Sequence, residues 1–298
     1  MSARLYGIAG RLAAATAALV LLAGPAMADG YRRGSLKDVP KAEEPCKHSA
    51  NVAIASEYVF RGISQTKEGP AIQGGYDLTC GMFYAGVWAS NLDWGGTGLF
   101  GLPGDSAVAN IEMDWYAGIK PVTGKITWDF GVIYYSYPNS AKLGLNSVGA
   151  VTNRDYNYVE VKAGASTEPW KDGTLGVTVF YSPEYQYEAG GVWTVEGAFS
   201  QTFPKFNAFN RTWTPSFSAL LGWQTATSDR RVYINNVTGD DDSYLYWNAG
   251  LTLGFLEKWS LDLRYWDTSI DRAPGFASCS VDLFSCDARF VATLKFTF

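Results

Sequence analysis

Apolar and polar residues alternate over most of the chain. In the last ten residues Phe290, Ala292, Leu294, Phe296 and Phe298 fall on one side. Arg289, Thr293, Lys295 and Thr297 fall on the other, with Val291 the exception. Successive side chains of a strand point to opposite faces, so this spacing predicts a two-sided β-strand. Trp259, Leu261, Leu263 and Tyr265 alternate in the same way with Ser260, Asp262 and Arg264. Leu245, Trp247, Ala249, Leu251, Leu253 and Phe255 alternate with Tyr246, Asn248, Gly250, Thr252 and Gly254. Further clear copies run over 110–120, 126–135 and 213–224, and weaker ones over 50–61, 71–79, 82–91, 156–166, 174–182 and 191–202. Twelve strands are expected. Ten or fourteen stay open, because region 183–212 reads more than one way.

Period two suits a soluble sandwich with an aliphatic core, or a membrane barrel with lipid outside and a polar lumen inside. The polar face here mixes charges and small residues with many of the 32 glycines. Trp94, Trp115, Trp128, Trp170, Trp193, Trp213, Trp223, Trp247 and Trp259 gather near strand ends, as an aromatic girdle at lipid headgroups requires. The chain ends on Phe298, and a terminal aromatic is a feature of bacterial outer-membrane barrels, whose last strand the insertion machinery reads. The expected fold is all-β: a transmembrane, antiparallel, up-and-down barrel, closing near Val52 and Phe296. Its connections alternate between short and long. Such barrels carry short periplasmic turns and long external loops, so both termini fall on the periplasmic side. Outer-membrane lipid and lipopolysaccharide are the expected surroundings.

Residues 1–28 read as a cleaved signal peptide. Arg4 and Arg11 precede an uncharged run, Leu12 to Gly24, and small residues surround Ala28. That run is too short to span a bilayer, which takes about 20 residues. Residues 29–48 are polar and read as a periplasmic lead or as a plug in the barrel mouth. His48 near its end is read as an exposed linker residue. The barrel is expected over 49–298. Four cysteines in an exported chain point to disulfides. Cys46 and Cys80 fall on the periplasmic side, Cys279 and Cys286 on the other, so the expected pairs are Cys46–Cys80 and Cys279–Cys286. Cys279 and Cys286 have no histidine beside them to make a metal clip. Asp240, Asp241 and Asp242 lack the spacing of a cation loop. No metal and no cofactor is called for.

The run Ser56-Glu57-Tyr58-Val59-Phe60-Arg61-Gly62-Ile63-Ser64-Gln65 resembles the opening of the TorF family of porins. So do Pro70-Ala71-Ile72-Gln73-Gly74-Gly75 and Tyr84-Ala85-Gly86-Val87-Trp88-Ala89-Ser90-Asn91. The resemblance is specific over Asn51–Trp94. It implies an outer-membrane location and a porin-like role, and brings no substrate and no functional residues with it.

Charge narrows the functions further. The net charge is −5, and two units more negative once Arg4 and Arg11 leave, which argues against nucleic acid as a partner. His48 is the sole histidine and lies before the expected wall, so a hydrolase built on a histidine base is disfavoured. The expected inward charges are Glu57, Arg61, Asp77, Glu112, Asp114, Asp129, Glu160, Lys162, Glu196, Asp262, Arg264, Arg289 and Lys295. With eight acids against five bases, they line a weakly cation-favouring pore or pair across strands and hold the wall. The expected function is passive diffusion of small polar solutes. The alternative is a closed barrel serving as scaffold or receptor through its external loops, its lumen filled by Tyr84, Trp88, Tyr116 and Tyr135.

Overall fold

The computed structural model describes residues 46–94, 109–138, 140, 144–145, 151–152, 155–227, 242–270 and 286–298. The expected signal peptide, the lead up to residue 45, Asp240, Asp241 and Cys279 lie outside them.

Twelve long strands run alternately up and down. They are β1 (Lys47–Ala55), β2 (Ala71–Cys80), β3 (Phe83–Asn91), β4 (Ile111–Ile119), β5 (Ile126–Ser136) and β6 (Tyr158–Trp170). They continue as β7 (Gly173–Ser182), β8 (Val192–Thr202), β9 (Arg211–Ala226), β10 (Ser243–Phe255), β11 (Trp259–Thr268) and β12 (Arg289–Thr297). Each pairs antiparallel with the next. β12 then returns to β1, with Phe296 opposite Val52. The sheet is a closed twelve-stranded barrel, and closure leaves no long strand with an open edge. The region 183–212 adds no further wall strand. It holds a short 3₁₀ turn at Gln186–Glu188, all of β8, and a ribbon at Phe206–Ala208 folded onto the start of β9.

The alternation decides which side each residue takes. Ile54, Ile72, Leu221, Leu251, Leu263 and Phe290 stand outward and exposed, Phe290 to 80%. Their neighbours in sequence, such as Ala55, Ala71, Leu220 and Val291, stand inward and buried. Val291, the apolar residue on the polar side of the last strand, belongs to the buried apolar cluster of the lumen. An apolar belt of this extent on the outside of a closed sheet suits lipid rather than water.

Two boundaries differ from the sequence reading. β1 begins at Lys47, so Lys47 and His48 belong to the wall, and the His48 ring faces outward with Nδ1 against the Tyr76 hydroxyl. It is a wall residue rather than a linker residue. β1 also stops at Ala55, six residues short of the expected end, because the chain then turns into the lumen. Cys46 and Cys80 form a disulfide, Cα–Cα 4.3 Å, where β1 and β2 meet at the terminal end. Cys286 is itself disulfide-bonded.

Leu253 faces outward on β10. Thr252 faces inward and donates its hydroxyl to Asp262 Oδ2 at 2.6 Å. Arginine at Leu253 is expected to cost about 2–4 kcal/mol near a bilayer midplane, and arginine at Thr252 much less. Urea titration of the barrel refolded in lipid vesicles measures both; the reverse order would put every side chain of β10 on the other face.

Candidate functional site

The inward wall is built in rows across neighbouring strands. Tyr116 of β4, Gly86 of β3 and Asp77 of β2 stand side by side. The Tyr116 ring lies over Gly86 and its hydroxyl donates to Asp77 Oδ1; a methyl on Gly86 would collide with the ring. Tyr246 of β10 repeats this across Gly222 of β9 and donates to Glu196 Oε1 of β8 at 2.6 Å. Arg264 of β11 crosses Gly250 of β10 to donate to Ser218 Oγ of β9 at 2.8 Å. Tyr84 lies against Gly118 and Gly131 and donates to Asp129 Oδ1 at 2.7 Å. These glycines are seats for side chains that lie flat against the wall.

The first long loop does not project outward. Residues 56–70 turn into the mouth as a hairpin, with Val59–Phe60 paired to Ile63–Ser64. Arg61 and Gly62 at its tip have φ of 49° and 83°, the signature of a type I′ turn. Gly62 rests on Thr268 and Tyr246, where a side chain would clash. Arg61 is 5% exposed and forks onto Glu160 of β6, with two N–O distances of 2.8 Å. Tyr135 donates to the same carboxylate at 3.1 Å. The guanidinium packs 4.8 Å from the Phe60 ring centre and 5.2 Å from that of Phe180. Tyr244 donates its hydroxyl to the Arg61 carbonyl at 3.2 Å.

The base of the hairpin is held as firmly. Glu57 pairs with Arg289. The Tyr58 hydroxyl donates to Glu112 Oε1 at 2.8 Å, and Trp94 Nε1 donates to Gln65 Oε1 at 2.9 Å. Trp94 therefore lies inside the mouth, 3% exposed and packed on Tyr137 and Tyr156, and is not part of an outer girdle. Burial raises the hydroxyl pKa of Tyr58, Tyr137 and Tyr185, so all three stay protonated. Around the hairpin Ser182, Thr194, Gln224 and Glu160 are at most 1% exposed.

The thirteen expected inward charges fall into two groups. Glu57, Arg61, Glu112, Asp114, Glu160, Glu196 and Arg289 lie in the hairpin or against the long-loop half of the lumen. Glu57 and Arg61 reach this half from the hairpin rather than from a strand. Asp77, Asp129, Lys162, Asp262, Arg264 and Lys295 face the half nearer the termini. Solvent reaches this second group except for Asp129, which is buried beneath its amine partners. The side chains of Lys162, Arg264 and Asp262 are 17, 18 and 21% exposed. Asp129 takes Lys162 at 2.9 Å and Lys120 at 3.9 Å, and Asp262 takes Arg264 at 2.9 Å. Of the four aromatic residues expected to fill a closed lumen, Tyr135 is buried, while Tyr84, Trp88 and Tyr116 are half-buried. The hairpin itself is buried in the lumen, with Tyr58, Arg61, Ser64, Gln65 and Thr66 at most 7% exposed.

A family model described as a bacterial protein of unknown function (Gcw_chp) matches residues 40–298. The chain belongs to this Gcw_chp family. No curated protein sequence matches it. Among solved structures it is similar to a KdgM porin, with TM-score 0.46 and 8% identity over 84% of this chain and 99% of the other. A NanC porin follows with 0.45 and 10%, over 84% and 98%. LpxR from Salmonella typhimurium has 0.41 and 11%, over 84% and 99%. Architecture shared at this distance brings no function with it.

The Gcw_chp description does not carry the TorF name, so that resemblance stands on residues 51–94 alone. In this Gcw_chp chain most of the run that carries it, residues 56–65, forms the hairpin. Alternation alone cannot find such a segment, since Glu57 and Arg61 keep the strand period while leaving the strand. The signal present in the sequence was Arg61-Gly62, a turn pair flanked by apolar residues.

Removing one partner of a buried pair strands the other charge, at about 3–5 kcal/mol. Arg61→Met and Glu160→Leu are each expected to lose stability in that range, and the double variant to lose far less than their sum. Denaturant titration of the four proteins measures this coupling; simple additivity would mean that the pair does not hold the hairpin.

Proposed function

We propose that the protein is an outer-membrane channel for small polar solutes, shut at its long-loop mouth by residues 56–70. The observation that carries this reading is the division of the lumen. Its terminal half is polar and reached by solvent, and its other half is sealed where Arg61 meets Glu160. Twelve strands also lie between the filled barrels of eight and the open porins of sixteen, so a narrow passage is the fitting size.

The membrane setting rests on the outward apolar belt, on the export signal read over residues 1–28, and on the TorF resemblance. Lipid and lipopolysaccharide around the wall, and insertion through the Phe298 end, belong to the same proposal. The seal itself is imperfect. Arg61 Nε, Asp114 Oδ1, Ser182 Oγ and Glu196 Oε2 are buried with no hydrogen-bond partner among the described residues. Each regains water if the hairpin withdraws, which offsets part of what is lost with the ion pair. A hairpin balanced in this way acts as a gate.

The same seal favours a second reading, a closed barrel that presents its long loops as a scaffold or receptor. Planar-bilayer recording separates the two. The natural chain is expected to conduct rarely and briefly. Replacing residues 57–68 by a short Gly-Ser linker is expected to give steady steps, with folding checked by heat-modifiable electrophoretic mobility. A folded, loop-replaced barrel that stays silent would overturn the channel and leave the scaffold.

A further inference from the structure

Summed over the whole inward face, eight acids against five bases point to a lumen that favours cations. The structure splits that sum by access. Five of the acids, Glu57, Glu112, Asp114, Glu160 and Glu196, belong to the sealed half, with two of the bases, Arg61 and Arg289. What remains in the wet half is Asp77, Asp129 and Asp262 against Lys162, Arg264 and Lys295. Two further bases face the same space from its rim, Lys120 after β4 and Lys47 at the start of β1, and both are exposed.

Pairing sharpens the imbalance. Asp262 is neutralised by Arg264. Asp129 is shared between two amines, Lys162 and Lys120, so that cluster keeps one positive charge. Lys295 is half-buried and makes no ion pair or hydrogen bond among the described residues. Asp77, which accepts the Tyr116 hydroxyl, is the acid left without a cationic partner at contact distance. Lys120 and Lys162 stand on the β4–β6 side of the twelve-stranded ring, and Lys295 of β12 stands on the opposite side, where Lys47 of β1 offsets Asp77 of β2. A like-signed pair of groups facing one another across a narrow passage sets the sign of its field, because low-dielectric walls focus it.

We infer that the wet half of the lumen is an anion-attracting vestibule and that the solutes it serves are small anions. The step from attraction to selective passage rests on the channel reading; the attraction itself does not. No free cysteine is present among the described residues, so Ser260→Cys, placed opposite Lys295, supplies a single reactive thiol in the vestibule. Its reaction with a sulfonate-bearing and with a quaternary-ammonium methanethiosulfonate is compared, each rate normalised to a free thiol. The anionic reagent is expected to react faster, the gap to shrink as salt is raised, and Lys295→Glu to invert the order. Should Lys295→Glu fail to fold, Lys120→Glu in the turn is expected to act in the same direction. Equal rates, or a faster cationic reagent, in the parent would overturn the inference. Anion-favouring thiol rates with a folded but silent barrel would overturn the channel reading and leave the vestibule as a binding site.

Discussion

A strand edge that meets hydrocarbon has no water to satisfy its N–H and C=O groups, and each group left open costs several kcal/mol. For this chain the last such edge disappears where β12 lies beside β1, with Val52 opposite Phe296 and Ile54 opposite Leu294. Ring closure requires every wall strand to keep the same face toward lipid, so period-two alternation must hold in all twelve. The Cys46–Cys80 disulfide lies beside this seam and fixes the start of β1 to the end of β2. What is seen as sequence patterning is therefore the consequence of one demand on the backbone.

Closing twelve strands creates a second problem, because such a ring is wider than its inward side chains can fill. Two devices reduce the space. Flat rows such as Tyr246 over Gly222 to Glu196, and Tyr116 over Gly86 to Asp77, thicken the wall and satisfy its carboxylates from the next strand but one. The hairpin of residues 56–70 occupies what is left at one end. The two devices meet at Tyr246, which holds Glu196 and also supports the Gly62 tip. The wall row and the position of the hairpin tip thus depend on the same side chain.

The strand count, the closure partners and the face taken by residues such as Leu251 and Asp262 were legible in the sequence, because burial in lipid acts on each residue locally and repeats every two positions. The hairpin was not legible. Val59, Phe60 and Ile63 satisfy a strand pattern, and only the tertiary partners Glu160 and Arg289, 99 and 232 residues away from Arg61 and Glu57, make the inward turn favourable. Trp94 was misplaced for the same reason. A tryptophan near a strand end suits a headgroup girdle as well as it suits the bond to Gln65, and periodicity does not distinguish them. The glycine seats lay in the sequence as frequent glycines on the polar face, but their partners are set by register between strands.

Charge was the least transferable part of the reading, and the reason is physical. A sum over residues treats all inward groups as equal, whereas a passing ion responds to those it can approach across water. Glu160 and Arg61 neutralise one another behind a wall of tyrosines, and Glu112 is held by Tyr58 in the same dry region. Lys295 and Lys120, by contrast, stand where solvent reaches them. The hairpin lies with Glu112, Glu160 and Glu196 in one buried half, and of the thirteen inward charges three acids and three bases are left in the other, where Lys47 and Lys120 add to the bases. A loop that withdrew would expose Glu112 and Glu160 again, so the charge that the lumen presents depends on where the hairpin lies.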